Sequence, residues 1–133
     1  MSGEADIRTL LSNLRPELQD STYVFCTLHR EAYGRLSFEP LCSFFEAEGV
    51  SLIIREEQAR DHDLAYDSIW ACITLTVHSS LTAVGFLAAI ANKLAQAGIS
   101  VNPVSAYYHD HLFVPWERRT QAMDVLLELS ERH

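Results

Sequence analysis

The segment Ser68–His78 constrains the fold more than any other part of the chain. Ile69, Ala71, Ile73, Leu75 and Val77 alternate there with Trp70, Cys72, Thr74, Thr76 and His78. Strand side chains point alternately to opposite faces, so the pattern predicts a strand with one apolar face and one mixed face. Antiparallel sheets covered by helices on one side have that character. A long run with helical spacing follows, Leu81–Ala97, with Ser79 or Ser80 as N-cap and Gly98 as the stop. Its wheel predicts Val84, Leu87, Ala88, Ala91, Leu94 and Ala95 inward and Thr82, Gly85, Ala89, Asn92, Lys93 and Gln96 outward. Phe86 and Ile90 flank the outward stripe, which predicts a contact with another module or subunit there.

Two further strands are predicted over Ile99–Tyr107 and His111–Val114, joined by a tight polar turn around His109 and Asp110. Pro103 has no N–H for a ladder, so the first of them lies at an edge or a bulge. Pro115 and Glu117 open a last helix reaching about Leu129, with Met123, Leu126 and Leu127 inward. The half of the chain from residue 67 to 133 therefore reads β–α–β–β–α, one strand short of a ferredoxin-like βαββαβ unit. An open sheet edge needs a partner, so Thr22–Leu28 or Val50–Ile54 is predicted beside these strands, with strands exchanged between the halves.

Residues 1–66 are rougher. Asp6–Leu14 spaces Ile7, Leu10, Leu11 and Leu14 as a short amphipathic helix ended by Pro16. Thr22–Leu28 reads as a strand and His29–Pro40 as a loop. Leu41–Glu48 is predicted as two helical turns stopped by Gly49, then Val50–Ile54 as a strand and Glu56–His62 as a short helix. The whole is α+β, with halves 1–66 and 67–133.

With 10 basic and 18 acidic side chains, net charge −8, the chain lacks the positive footprint of a nucleic-acid or acidic-membrane binder. Residues 1–66 carry 12 acidic against 6 basic groups and residues 67–133 carry 6 against 4. Cys26, Cys42 and Cys72 form an odd set without C-x-x-C spacing and read as buried thiols in a reducing compartment. MSGEADIRTL has no apolar leader core and no apolar run approaches the ~20 residues of a span, so a cytoplasmic location is expected.

The stretch HSSLTAVGFLAAIANKLAQAGISVNPVSAYYHDHLFVP resembles the ACT superfamily: a strand, a loop, a helix with an early glycine (Gly85), then Ala97-Gly98-Ile99-Ser100 leading into the next strand. Tyr107–Val114 is similar to the hairpin of tandem ACT proteins, a group that includes aspartokinase regulatory domains and the cytosolic arginine sensors of animals. YVFCTL, EGVSLII, TLTVHSSL and YYHDHLFVP extend the likeness to small bacterial tandem-ACT proteins over nearly the whole chain. The resemblance implies tandem ferredoxin-like ACT units and a regulatory module that binds an amino acid where two units abut, commonly at the loop between strand and helix.

The candidate ligand residues are His78, Ser79, Ser80, Asn102, Tyr107, His109, Asp110 and His111. Unpaired N–H groups and the dipole at a helix start suit a carboxylate, and Ser79 and Ser80 add hydroxyl donors; plain capping by one serine accounts for the same pattern. Asp110 would accept from an ammonium group, Tyr107 would supply a wall, and Asn102 an amide contact. Equally, a hairpin with packed aromatics accounts for these residues. A carboxylate beside His109 or His111 would favour the charged imidazole and make affinity pH-dependent. Two alternatives stand beside the regulatory reading: a ligand-free interaction scaffold, and a metal site using His109 and His111 with His78 as a third ligand. No phosphate loop, G-x-S-x-G or H-E-x-x-H motif is present, and His62 and the run Glu46, Glu48, Glu56, Glu57 read as solvated, so no catalysis is expected. The partners expected are a small-molecule ligand and a second copy in a homodimer, with no cofactor.

Overall fold

In the computed structural model, residue 3 and residues 5–133 are described. Met1, Ser2 and Glu4, the start of the stretch read as lacking a leader core, lie outside the described residues. The chain divides into two compact units. The first holds residues 1–20 and Ala71–His133, the second Ser21–Trp70.

The first unit opens with α1 (Ile7–Ser12), capped by Asp6, whose carboxylate accepts from the Thr9 backbone N–H at 3.1 Å and its hydroxyl at 2.8 Å. Strand β1 spans Pro16–Leu28, and its first five residues, Pro16–Asp20, belong to this unit. Then come β4 (Trp70–Leu75, its first residue in the second unit), α4 (Phe86–Gln96), β5 (Asn102–Ser105), β6 (Asp110–Pro115), a single 3-10 turn and α5 (Arg119–Glu131). The strand order here is β1–β4–β6–β5. The exchanged strand expected from the N-terminal half is therefore β1, supplied by its upstream part rather than by Thr22–Leu28.

One face of this sheet carries the core. Ala71, Ile73 and Leu75 of β4 and Leu112 and Val114 of β6 pack with Leu10, Leu11 and Leu14, with Phe86, Ile90, Leu94 and Ile99, and with Ala122, Leu126 and Leu129. The alternation read in Ser68–His78 sets that arrangement. Pro103 sits in the edge strand β5, as its missing N–H requires. Gly98 ends α4 at φ 74°, with Ile99 N–H donating to Leu94 O at 2.9 Å and Gly98 N–H to Ala95 O at 2.9 Å. That is a Schellman stop, accompanied by the buried pair Leu94 and Ile99. The Arg118 guanidinium donates to Ala97 O and Gly98 O at 3.1 and 3.3 Å.

The second unit orders its strands β2–β3–β1, with β2 at Cys42–Phe45 and β3 at Val50–Arg55. Helices α2 (Arg30–Tyr33) and α3 (Glu56–Asp61) complete it. Val24, Cys26, Val50, Leu52, Ile54 and Ala59 form its core.

Three expectations are overturned. Leu41–Glu48 is not helical: Cys42–Phe45 pairs antiparallel with β3, Phe45 opposite Val50 and Cys42 opposite Ile53. Aromatic residues beside a buried strand gain more from that ladder than from two isolated helical turns. The face of α4 is rotated. Phe86 and Ile90 are buried, Val84 lies before the helix with 86% of its surface exposed, and Ala88 and Ala95 face outward. The predicted contact stripe on Phe86 and Ile90 is thus core. In α5, Ala122, Leu126 and Leu129 point inward, Met123 is half-buried, and Leu127 is exposed.

Candidate functional site

The turn after β4 does not continue directly into helix. Ser80 Oγ accepts from the Thr82 backbone N–H at 3.2 Å and lies 2.8 Å from the Thr82 hydroxyl, while Ala83 N–H donates to Ser80 O at 3.0 Å. Side-chain hydroxyls that bond their own backbone hold a turn open where a helix would otherwise start. The helix begins five residues later, with Gly85 as its N-cap at φ 87°, a conformation L side chains rarely adopt. Ser79 and Ser80 are therefore not helix caps, contrary to the sequence reading.

No side chain caps α4 at Gly85. The Ala89 N–H bonds Gly85 O at 2.9 Å, and the preceding N–H groups of Phe86, Leu87 and Ala88 have no carbonyl within the helix to meet. A cavity of about 120 Å³ is lined by this first turn together with Ser79, Ser80, Leu81, Ala83, Ser105 and Asp110. Asp110 opens β6, and Ser105, its register partner on β5, lies on the same face of the sheet.

Asp110 is the dominant charge in that cavity. It is 5% exposed, and Ser79 Oγ–H donates to its Oδ2 at 3.0 Å. Ser79 is itself buried. Among the described residues no basic side chain forms an ion pair with Asp110, since the two salt bridges are Arg55–Glu57 and Arg132–Glu128. An acceptor of this kind at one wall, and uncapped helix N–H donors at another, give the cavity two poles of opposite sign.

The remaining candidates are scattered. His78, Tyr107 and the neighbouring Tyr108 form a ring cluster, with His78 5.7 Å from Tyr108 and 6.4 Å from Tyr107. Both tyrosines are mostly exposed and neither lines the cavity. His109 sits in the hairpin turn, its carbonyl accepting from Ala106 N–H at 3.0 Å. Asn102 is the register partner of Phe113, so it lies on the opposite sheet face from Asp110. His111 is on that opposite face too. Gln19 Nε2 donates to Thr74 Oγ1 at 3.0 Å, and Thr74 Oγ1 lies 3.0 Å from His111 Nδ1. Burial, then the charge of His109, hold the His111 imidazole below its usual range, while Asp110 opposes this. Among the described residues no three His, Cys, Asp or Glu side chains converge as metal ligands, so His109 and His111 lack the third ligand that the metal alternative assigned to His78.

Of the eight predicted residues, then, the fold brings Ser79, Ser80 and Asp110 together. Sequence reading missed Ser105 and the Gly85–Ala88 turn. The spacing of Ser105 and Asp110 about a hairpin was a usable signal; nothing in the wheel of α4 pointed to Gly85 as its start.

Two models described as ACT domain match the chain, over residues 2–71 and 67–128. A solved Vibrio cholerae protein, described as of unknown function and a possible transport protein, is 44% identical, with a TM-score of 0.84 over 92% of this chain and 94% of that one. The ligand-free regulatory subunit of aspartate kinase from Thermus thermophilus is 7% identical, with a TM-score of 0.59 over 86% of this chain and 95% of that one. Aspartate kinase from Clostridium acetobutylicum, described as an allosteric enzyme, is 11% identical with a TM-score of 0.63, covering 89% of this chain and 34% of that one. No functionally curated protein sequence matches significantly. Among the described residues no helix is long and apolar enough to cross a membrane. A pair of ACT matches in tandem, on an α+β fold with antiparallel sheets covered by helices, establishes that this chain belongs to the ACT-domain family.

Proposed function

We propose that the chain is a non-catalytic regulatory module that binds a small amino acid in the Asp110 cavity. The observation that carries this is the buried Asp110 carboxylate, which has no cationic partner among the described residues and faces a cavity walled on another side by uncapped helix N–H groups. The ligand's ammonium group meets Asp110, and its carboxylate meets the first-turn amides of α4 and the Ser80 hydroxyl. A cavity of about 120 Å³ holds the volume of roughly four waters, which favours a side chain no larger than that of serine or alanine.

The family supports a regulatory role, and the Thermus regulatory subunit supports the fold such a role uses. In this reading 1–66 and 67–133 are the two sequence repeats, the protein works in the cytoplasm as a homodimer, and ligand binding is passed to a partner. The buried Cys26 and Cys72 thiols, both pushed up by burial and Cys72 to about 11, suit a reducing compartment. A scaffold without ligand is the second reading, favoured by the exposed Leu81, Val84, Tyr107 and Tyr108.

Calorimetric titration separates the two. Glycine, L-alanine and L-serine are compared with glycolate and ethylamine, which each lack one of the two charged groups. Saturable binding of an amino acid, lost with both analogues, is expected. Heat from glycolate equal to that from glycine would remove Asp110 from the ligand site, and no heat from any amino acid would leave the scaffold.

A further inference from the structure

The loop between β4 and α4 forms one wall of the Asp110 cavity through Ser79, Ser80, Leu81, Ala83 and Gly85. Its own bonds are short-range, joining Ser80 to Thr82 and to Ala83, and Ser79 ties it to Asp110 on β6. Leu81 and Val84 are mostly exposed, so burial of these side chains does little to hold the loop in place. A segment with so few contacts of its own opens locally unless a neighbouring element fixes it.

The N-terminal segment supplies that fixing. A Cβ added at Gly3 would stand 2.5 Å from His78 O and 2.7 Å from the Ser79 carbonyl carbon. The Gly3 backbone therefore lies directly on the His78–Ser79 peptide, closer than any side chain allows. At the other end of the loop a Cβ on Gly85 would meet Ile7 Cδ1 at 3.3 Å, so Ile7 rests on the N-cap of α4. Just upstream of the loop, the Thr76 N–H and hydroxyl donate to Arg15 O at 3.2 and 2.8 Å. Leu10, Leu11 and Leu14 anchor the same segment in the core. Neither Gly3 nor Ile7 lines the cavity. Each instead touches a residue that does: Ser79, whose hydroxyl is aimed at Asp110, and Gly85, which opens the first turn of α4.

We propose that Gly3 and Ile7 are positioning residues for the Asp110 cavity, strapping residues 78–85 so that the cavity stays too small for a large side chain. The size of ligand admitted is then set by residues that do not touch it. With Gly3 displaced, the Ser79 hydroxyl loses its fixed aim at Asp110, and the loop can yield to a bulkier ligand. That the ligand is an amino acid rests on the preceding section; the strap itself does not.

Amide hydrogen exchange of the ligand-free full chain tests the strap. Gly3→Ala puts a Cβ where the His78 carbonyl stands, and should speed exchange at the bonded amides of Thr82 and Ala83 by about tenfold or more. Ile7→Ala should act at the other end, on the Ala89 amide bonded to Gly85 O. In both variants the Gly98 and Ile99 amides, bonded at the far end of α4, should keep their wild-type rates. Leu11→Ala is the control for a general loss of stability, and should speed the two ends of α4 alike. Calorimetry with glycine and L-leucine then reads selectivity: the wild type should prefer glycine, and Gly3→Ala should narrow that preference. The proposal is overturned if Gly3→Ala leaves the Thr82 and Ala83 rates unchanged, or speeds Gly98 and Ile99 equally. It is also overturned if a wild type that binds glycine and its Gly3→Ala variant show the same preference. If the wild type binds neither amino acid, the Asp110 reading falls and the exchange rates alone decide the strap.

Discussion

Replacing Asp110 by asparagine separates ligand recognition from folding. Asp110 is 5% exposed, accepts a 3.0 Å bond from Ser79 Oγ, and has no cationic partner among the described residues. Taking an ionised carboxylate out of water is costly, and one neutral hydrogen bond recovers only part of that cost. Asparagine keeps an acceptor oxygen for Ser79 and removes the charge. The ligand-free protein should therefore keep its Tm or gain a few degrees. Binding should suffer, because a hydrogen bond to a charged group is worth roughly 1.5–3 kcal/mol, equivalent to a Kd about 10- to 150-fold weaker. Asp110→Ala is the control. It leaves the buried Ser79 hydroxyl without its acceptor, at a cost of about 1–3 kcal/mol, or a Tm lower by roughly 3–18 °C for a chain of this size. Scanning calorimetry with and without glycine reads all four quantities. A Tm for Asp110→Asn as low as that of Asp110→Ala, with glycine binding intact, would show that the carboxylate serves the fold and not the ligand.

Three other outcomes follow from the geometry. His111 has a folded-state pKa held below its usual value by burial first, so the unfolded chain binds its proton more readily. Stability should fall as pH drops through about 6.5 and stop falling, for this group, once pH is below the folded-state pKa; denaturant titrations at pH 7.5 and 5 should show a smaller drop for His111→Gln than for the wild type. Ile90 is buried in the first core, so Ile90→Ala should cost about 2–5 kcal/mol in the same assay, whereas Val84→Ala, with 86% of Val84 exposed, should be close to neutral. Gly98 has φ 74° and open space around its Cα, so Gly98→Ala meets no clash, and a loss of about 1 kcal/mol from backbone strain should lower Tm by roughly 3–6 °C.

Residues whose environment is set by local alternation were legible. Ser68–His78 gave Ala71, Ile73 and Leu75 as the core face of β4 because a two-residue period has one phase, although Cys72 and Thr74 on its mixed face are buried as well. The α4 wheel failed because its first turn was placed five residues early. Ser80 and Thr82 bond their own turn, and that competition is invisible to apolar spacing. Shifting the start let exposed Val84 enter the supposed core and pushed Phe86 and Ile90 out of it. Strand β2 failed for a different reason: Phe44 and Phe45 become extended only because β3 stands beside them. The site shows both effects. The fold brings Ser79, Ser80 and Asp110 to one cavity, yet the link between Ser79 and Asp110 is a hydrogen bond spanning 31 positions, not a helix cap. Asn102 and His111 were lost to the sheet's alternation, which sends residues adjacent in the sequence to opposite faces.

The chain leaves the first unit at Asp20 and re-enters it at Ala71, so that unit is built from both sides of an intervening segment. Helix α1 packs against α5, and Ser130 Oγ–H donates to Ser12 O at 3.2 Å across 118 positions. During synthesis the second unit has all its residues by Trp70 and can fold early. The first cannot close until α5 has left the ribosome, at ordinary rates several seconds afterwards. For that interval Leu10, Leu11 and Leu14 have no core to enter, which makes the nascent chain, rather than the finished protein, the state most in need of a chaperone.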